Sequence, residues 1–271
     1  MHDKFSVLMS VYKNDKANQL YSAVESCFEN QSIKPDELVL VEDGELTDEL
    51  YSTIKQLKEK YVIIKSVPLA ENQGLGAALS IGIFECSNEI IARMDSDDIN
   101  APNRFATQLP YMKEYDAVGM YIEEFYEEIH DKNIIKQVPL NESDILKFIK
   151  KRNPMSHMTV MFKKSKVIEA GNYQTLMYVE DYYLWVRMLL QGAKIMNIPQ
   201  VGVYVRTGLN MYGRRSNKEY INSWEILQQL MFKEKMINKF EYYINMLMIR
   251  VFIYTPISLK EQLYKYLLRK R

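Results

Sequence analysis

The sequence predicts an open α/β fold, a mostly parallel sheet covered by helices, and three observations predict it. Between residues 5 and 94, four β-rich runs are separated by three runs of helical period. Acidic and glycine-rich clusters fall at the ends of those strands, the edge where open α/β sheets bind ligands. The 271 residues, 47% hydrophobic and 26% charged, suffice for one large domain, or one domain with an appendage.

Taken in order, "FSVLMSVY" is the first strand, followed by a helix near 17–29 with Leu20, Val24, Cys27 and Phe28 on its apolar face. "ELVLVEDG" is the second strand. Leu50, Ile54 and Leu57 share one side of the next helix, and "YVIIKSV" is the third strand. Small residues over 75–86 form a helix that leads into a strand at 89–94. Past residue 100 the pattern is less regular. "DAVGMYIEEFYEEIH" and "IIKQVPL" predict a hairpin or side sheet, "NESDILKFIKKR" a capped helix and "MTVMFKK" a strand. "YVEDYYLWVRMLLQGA" is an amphipathic helix ended by Gly192, and "VGVYVRT" a strand. From residue 216 the chain reads as helical, broken at Pro256, with a capping box from Ser258 to Glu261.

Net charge is zero but unevenly spread. Residues 1–205 carry 22 basic against 30 acidic side chains, and residues 206–271 carry 13 against 5. The basic C-terminal segment suits an anionic surface, a sister subunit or the chain's own acidic body. Within it, "YYINMLMIRVFIY" is apolar but too short to span a bilayer. "SLKEQLYKYLLRK" sets Leu259, Leu263 and Leu267 on one stripe among Lys260, Lys265 and Arg269, the composition of an interfacial helix. The polar N-terminus lacks the apolar stretch of a signal peptide, and Cys27 and Cys86 lie in apolar-periodic runs, as two buried thiols would in a reducing cytoplasm.

Three polar constellations carry chemistry. Glu42 and Asp43 close the second strand: they form either a plain turn around Gly44 or, beside Ser10 and Tyr12, an acceptor and a ring for a uracil-like base. Asp95, Asp97 and Asp98 close the fourth, as a solvated turn or a divalent-metal site. Between them "NQGLGAALSIG", with Asn72 and Gly74, offers bare backbone to an anion. Glu180 and Asp181 open a helix, as partners of its dipole or, among Tyr182, Tyr183 and Trp185, as a base facing a sugar. His157 is a hydrogen-bonded structural residue or a group near the reaction. Arg206, Arg214 and Arg215 are surface charge or a flap over a diphosphate.

"SVLMSVY", "LVLVEDG", "ENQGLGAAL", "ARMDSDD" and "YVEDYYLWVRM", in this order and spacing, resemble the family 2 glycosyltransferases over about residues 4–206. The resemblance implies a GT-A fold, a Rossmann-like nucleotide-binding sheet with helices on both faces. Residues 1–206 would be the catalytic domain, divided into a nucleotide-sugar half (1–100) and an acceptor half (101–206), and residues 207–271 a helical extension. By the same resemblance, Ser10, Tyr12 and Asp43 would hold uridine with Glu42 beside them, Asp95 would face the ribose or sugar, Asp97 would bind Mn²⁺ or Mg²⁺ on the diphosphate, and Asp181 would be the general base. Lys13 and Glu42 depart from the commoner Asn and Asp of the motifs. The expected partners are a UDP-sugar donor and a glycan, lipid-linked or glycoprotein acceptor, with no nucleic acid. The expected place is the cytoplasm or the inner face of the plasma membrane. One metal site and one base suit inverting transfer; a retaining glycosidase needs a flanking carboxyl pair. A sugar nucleotidyltransferase would need a basic glycine-rich loop after the first strand, which "SVYKNDKAN" lacks, and a non-catalytic binding protein would have no use for Asp95, Asp97 and Asp181 together.

Overall fold

Strand β1 (Phe5–Val11) is buried on both faces, which fixes its place inside the sheet. Phe5, Val7, Met9 and Val11 enter one core, and Leu8, pointing the other way, enters a second. The computed structural model describes residues 3–207 and 218–255. In it β1 is followed by α1 (Ala17–Ser26), β2 (Glu37–Glu42), α2 (Asp48–Lys60), β3 (Ile64–Pro68), α3 (Leu75–Glu85) and β4 (Ile90–Arg93). Each element lies where the sequence predicts it, within a few residues at either end. Thr47 caps α2 by accepting from the Leu50 N–H, while Asp48 and Glu49 in its first turn and Lys58 and Lys60 in its last complement the helix dipole.

The second half adds β5 (Ile99–Asn100), α4 (Arg104–Gln108), β6 (Ala117–Phe125), β7 (Ile134–Lys136), α5 (Glu142–Phe148), β8 (Met161–Lys163), α6 (Lys164–Glu169), α7 (Glu180–Leu190) and β9 (Ile195–Arg206). The strands are ordered β3-β2-β1-β4-β8-β6-β9-β5, with β7 paired to β6. β1 to β4 are mutually parallel, β8 joins β4 antiparallel, and β9 runs parallel to β6. The chain winds outward from β1 to β3 on one side and returns to β4 on the other, so β1 and β4 flank a topological switch point. Helices α1, α2 and α4 cover one face; α3, α5 and α7 cover the other.

Several predicted elements differ in extent: β7 and α5 each stop about four residues short of the predicted run, and three further differences have a visible cause. β6 stops at Phe125, because Asp131 turns back to accept the N–H groups of Tyr126, Glu127 and Glu128 and ends the ladder. β9 begins six residues before the predicted strand. Pro199 lies inside it and has no N–H to donate; the β6–β9 register shifts nearby, between Met120 and Ile122, and absorbs the interruption. The start of the predicted strand "MTVMFKK" is a 3-10 turn at His157–Thr159, leaving β8 three residues long.

Helices α8 (Lys218–Lys233) and α9 (Lys239–Tyr254) pack on the body. Leu227, Met231, Met246 and Ile249 share a core with Trp185 of α7, and the Tyr182 and Trp224 rings meet edge to face at 5.7 Å. Asn238 and Glu241 form a capping box at the start of α9. Asn245 donates to the Lys150 carbonyl at 2.7 Å, and Lys150 pairs with Glu241 at 3.4 Å. Among the described residues no helix is long and apolar enough to cross a membrane. Pro256 and the capping box from Ser258 to Glu261 lie outside the described residues. Cys27 and Cys86 are free and buried, and burial pushes both thiols up to about 12.

Candidate active site

The carboxyl ends of β1, β2 and β4 adjoin one another, and the turns that follow them carry the predicted side chains. Ser10 pairs in register with Val41 and Val11 with Glu42, so Tyr12 and Asp43 leave the sheet side by side. The Tyr12 N–H donates to Asp15 (3.2 Å), whose carboxylate also accepts from Ser96 at 2.7 Å; this ties the end of β1 to the acidic turn after β4.

Asp43 clasps the glycine loop. Its carboxylate accepts from the N–H of Gln73 (2.7 Å), the N–H of Gly74 (3.0 Å) and the side-chain amide of Asn72 (2.9 Å). Gly44 makes the clasp possible: its φ is +83°, and a Cβ there would lie 2.5 Å from the Asn72 backbone nitrogen. Glu42, by contrast, lines a recess on the α2 side with Tyr51, Lys55 and Ser66.

After β4, oxygens of Asp95, Asp97 and Asp98 come within 4.8 Å of one another. Arg93, wholly buried beneath them, forms an ion pair with Asp95; burial opposes its charge, and Asp95 more than offsets that and raises its pKa. Its Nε and Nη1 have no partner among the described residues. Asp97 is exposed at the rim of the turn, yet the protein crowded behind its carboxyl, with the charges of Asp95 and Asp15, pushes its pKa up to about 6. Burial, then the charges of Asp97 and Asp95, raises Asp98 well above its ordinary value, although it accepts the Arg206 N–H at 2.9 Å. The Arg206 side chain lies over the Phe125 ring and donates to the Asp97 carbonyl at 3.3 Å, so β9 ends against the acidic turn. Arg214 and Arg215 lie outside the described residues.

The third constellation arrives from α7. Asp181 accepts from the Asn153 side chain (2.5 Å) and from the N–H of Tyr182 (2.7 Å). Glu180 leans the other way, its Cγ only 3.0 Å from where a Cβ on Gly76 would stand; that glycine lets the first turn of α3 approach α7. Tyr173 is buried, and that burial, with the charges of Asp181, Asp95 and Glu180 against the opposing Arg93, raises the pKa of its hydroxyl. Its hydroxyl meets His157 Nε2 at 2.7 Å. Burial, then the Arg93 charge, holds the imidazole well below its usual pKa, so His157 is neutral at pH 7. Asp15, Arg93, Asn153 and Tyr173 are site residues that the sequence did not single out.

The family model "Glycosyl transferase family 2" matches residues 6–171, more than half of the chain. The chain belongs to glycosyltransferase family 2. The family assignment removes the nucleotidyltransferase alternative. The transferase is 40% identical over 222 residues to the amylovoran biosynthesis glycosyltransferase AmsE of Erwinia amylovora, covering 81% of this chain and 82% of that one. It is 37% identical over 271 residues to the UDP-Gal:alpha-D-GlcNAc-diphosphoundecaprenol beta-1,3-galactosyltransferase of Escherichia coli, covering 98% and 97%. Its GT-A fold superposes on S. aureus TarS 1–349 in complex with UDP-GlcNAc with a TM-score of 0.68, at 15% identity, over 96% of this chain and 77% of that chain.

The clasp in this transferase carries a direct test. Gly44→Ala forces a left-handed residue and a backbone collision together, and should cost about 1–3 kcal/mol of stability. A midpoint of urea unfolding equal to that of the parent would show that the loop has another way to close.

Proposed function

We propose that this glycosyltransferase moves a sugar from a UDP-sugar to a hydroxyl of a lipid-linked glycan, with inversion at the anomeric carbon, during assembly of a bacterial surface polysaccharide. The observation that carries the reading is the pairing of a single carboxylate, Asp181, held by Asn153 at the start of α7, with the separate acidic cluster after β4, both within electrostatic reach of Tyr173. The donor class and the acceptor follow the E. coli relative's name, and the UDP-GlcNAc complex of TarS supports the same nucleotide.

The acidic cluster fits a divalent cation. Hard carboxylate oxygens converge, and their mutual repulsion is answered by one guanidinium that pairs with Asp95. Asp97, with Asp95, would hold Mn²⁺ or Mg²⁺. When bound, the cation supplies positive charge against which a diphosphate can leave. The chain's own residues do the rest. Tyr12 offers a ring to the base, and Asp43 shapes the Asn72–Gly74 loop beside it. On the opposite side, Asp181 takes the acceptor hydroxyl's proton as the new carbon–oxygen bond forms and the bond to the diphosphate breaks, its electron pair leaving with UDP. Neutral His157, bonded to Tyr173, fixes that ring without adding charge.

The experiment is transfer from a panel of UDP-sugars, UDP-galactose among them, to a GlcNAc-diphospho-lipid, read as UDP release and as product mass. A product with the anomeric configuration of the donor would refute inversion. Transfer only from GDP-sugars would refute the donor class.

A further inference from the structure

Helix α9 is apolar around most of its circumference, yet the body covers only one side of it. Asn245, Met246, Ile249 and Ile253 face inward. Phe240, Tyr243, Ile244, Leu247, Met248 and Val251 face outward, with 39% to 73% of their surfaces exposed. At 100° per residue these six span an arc of about 140°, with no charged residue inside it. Lys239 and Arg250, both exposed, border the arc along one edge. At that edge Tyr243 meets the half-buried Tyr242 ring at 5.4 Å, and Tyr242 meets Phe232 of α8 at 5.9 Å, with Lys233, Glu234 and Lys235 exposed next to Phe232. A patch of this kind on a soluble protein marks an interaction surface.

We infer that the outer face of α9 docks on an anionic lipid bilayer. Charge decides between a membrane and a second copy of the chain. Among the described residues the exposed charges that border the arc and Phe232 are Lys233, Lys235, Lys239 and Arg250 against Glu234, and Glu241 is engaged by Lys150 and by its own cap. A two-fold interface through α9 would bring this basic border against its own copy, whereas anionic headgroups neutralise it while the apolar arc enters the acyl boundary. Chain connectivity links the docked face to the chemistry. Lys150 holds α9 through its carbonyl and its ammonium, Ile149 accepts from the hydroxyl of Tyr182, and Asn153 holds Asp181, so one segment, 149–153, clamps the docking helix and the start of α7 together. The inference deepens the lipid-linked reading, because it sets the acceptor side of the site at the surface from which such an acceptor is presented.

The test uses the full chain and vesicles of phosphatidylcholine with about one third phosphatidylglycerol at low salt. The protein should float with these vesicles. The double variant Leu247→Gln/Met248→Gln, changed only at exposed positions, should lose at least tenfold in bound fraction while its transfer to a soluble acceptor stays within twofold. Three results would overturn the inference: parent protein that does not float, a double variant that floats like the parent, or a parent dimer in light scattering that the double variant converts to monomer without either protein floating. Sugar transfer is measured separately, so failure of the lipid-linked reading would show as absent turnover on that acceptor with flotation unchanged.

Discussion

Asp181→Asn should bind UDP-sugar as the parent does and lose transfer on the order of 10²-fold or more. The amide keeps the volume of the carboxylate, and its oxygen can still accept the Tyr182 N–H; what it loses is the capacity to take a proton from the acceptor hydroxyl. Asp43 and Asp95, proposed to face the donor, sit just past the ends of β2 and β4, on other elements, which is why affinity for the nucleotide should survive. Glu180→Gln serves as the comparison. Glu180 leans over Gly76 towards α3, so its loss should cost less than tenfold. A collapse of donor affinity in Asp181→Asn, or equal losses in the two variants, would show that the base has been assigned to the wrong carboxylate.

Asp97→Asn should abolish metal-stimulated donor binding and leave a folded protein that is no less stable than the parent without metal. The folded state raises the Asp97 pKa to about 6, above the ordinary carboxylate value, so the ionised side chain opposes folding at neutral pH. The sign follows from linkage: metal-free parent gains stability as pH falls through about 6, and the amide obtains the same relief at pH 7. Mn²⁺ should raise the parent's melting temperature at pH 7.5, raise it less at pH 5.5 where a proton competes for Asp97, and leave the variant unmoved at both. Thermal melts with Mn²⁺ and chelator at the two pH values check this; a variant that Mn²⁺ still stabilises as much as the parent would place the cation elsewhere.

The first half of the fold was legible because its signals are local. β1 to β4 and the helices between them are set by apolar period and by caps such as Thr47, and the carboxylates that close the strands stand next to them in sequence. The second half was legible in its helices, α5 with its Asn141 cap and α7 ending at Gly192, and less so in its strands. β5 is two residues long, α4 and α6 hold five and six, and β9 contains a proline; each is maintained by neighbours brought from far along the chain. The same holds for the site. Asp95, Asp97 and Asp181 announce themselves as carboxylates in motifs, but the partners that orient the site lie 28 residues apart for Asn153 and Asp181, 16 for His157 and Tyr173, and 81 for Asp15 and Ser96. No periodicity links such pairs. The Arg93 side chain would be expected to reach solvent on charge alone, and it is buried because Asp95 neutralises it in place.

The bond from the Arg206 N–H to Asp98 spans 108 residues, and it gives the site an order of assembly. On a translating ribosome β1 to β4 and the acidic turn emerge first, while β9, which braces that turn, follows after an interval on the order of ten seconds. The edge of β4 stays open until β8 emerges to cover it, and the carboxylate cluster stays unbraced until β9 follows. The nascent chain therefore passes through a stage in which its first four strands are made but the acidic turn that closes them is not yet braced, and quality control of this enzyme rests on the arrival of β9.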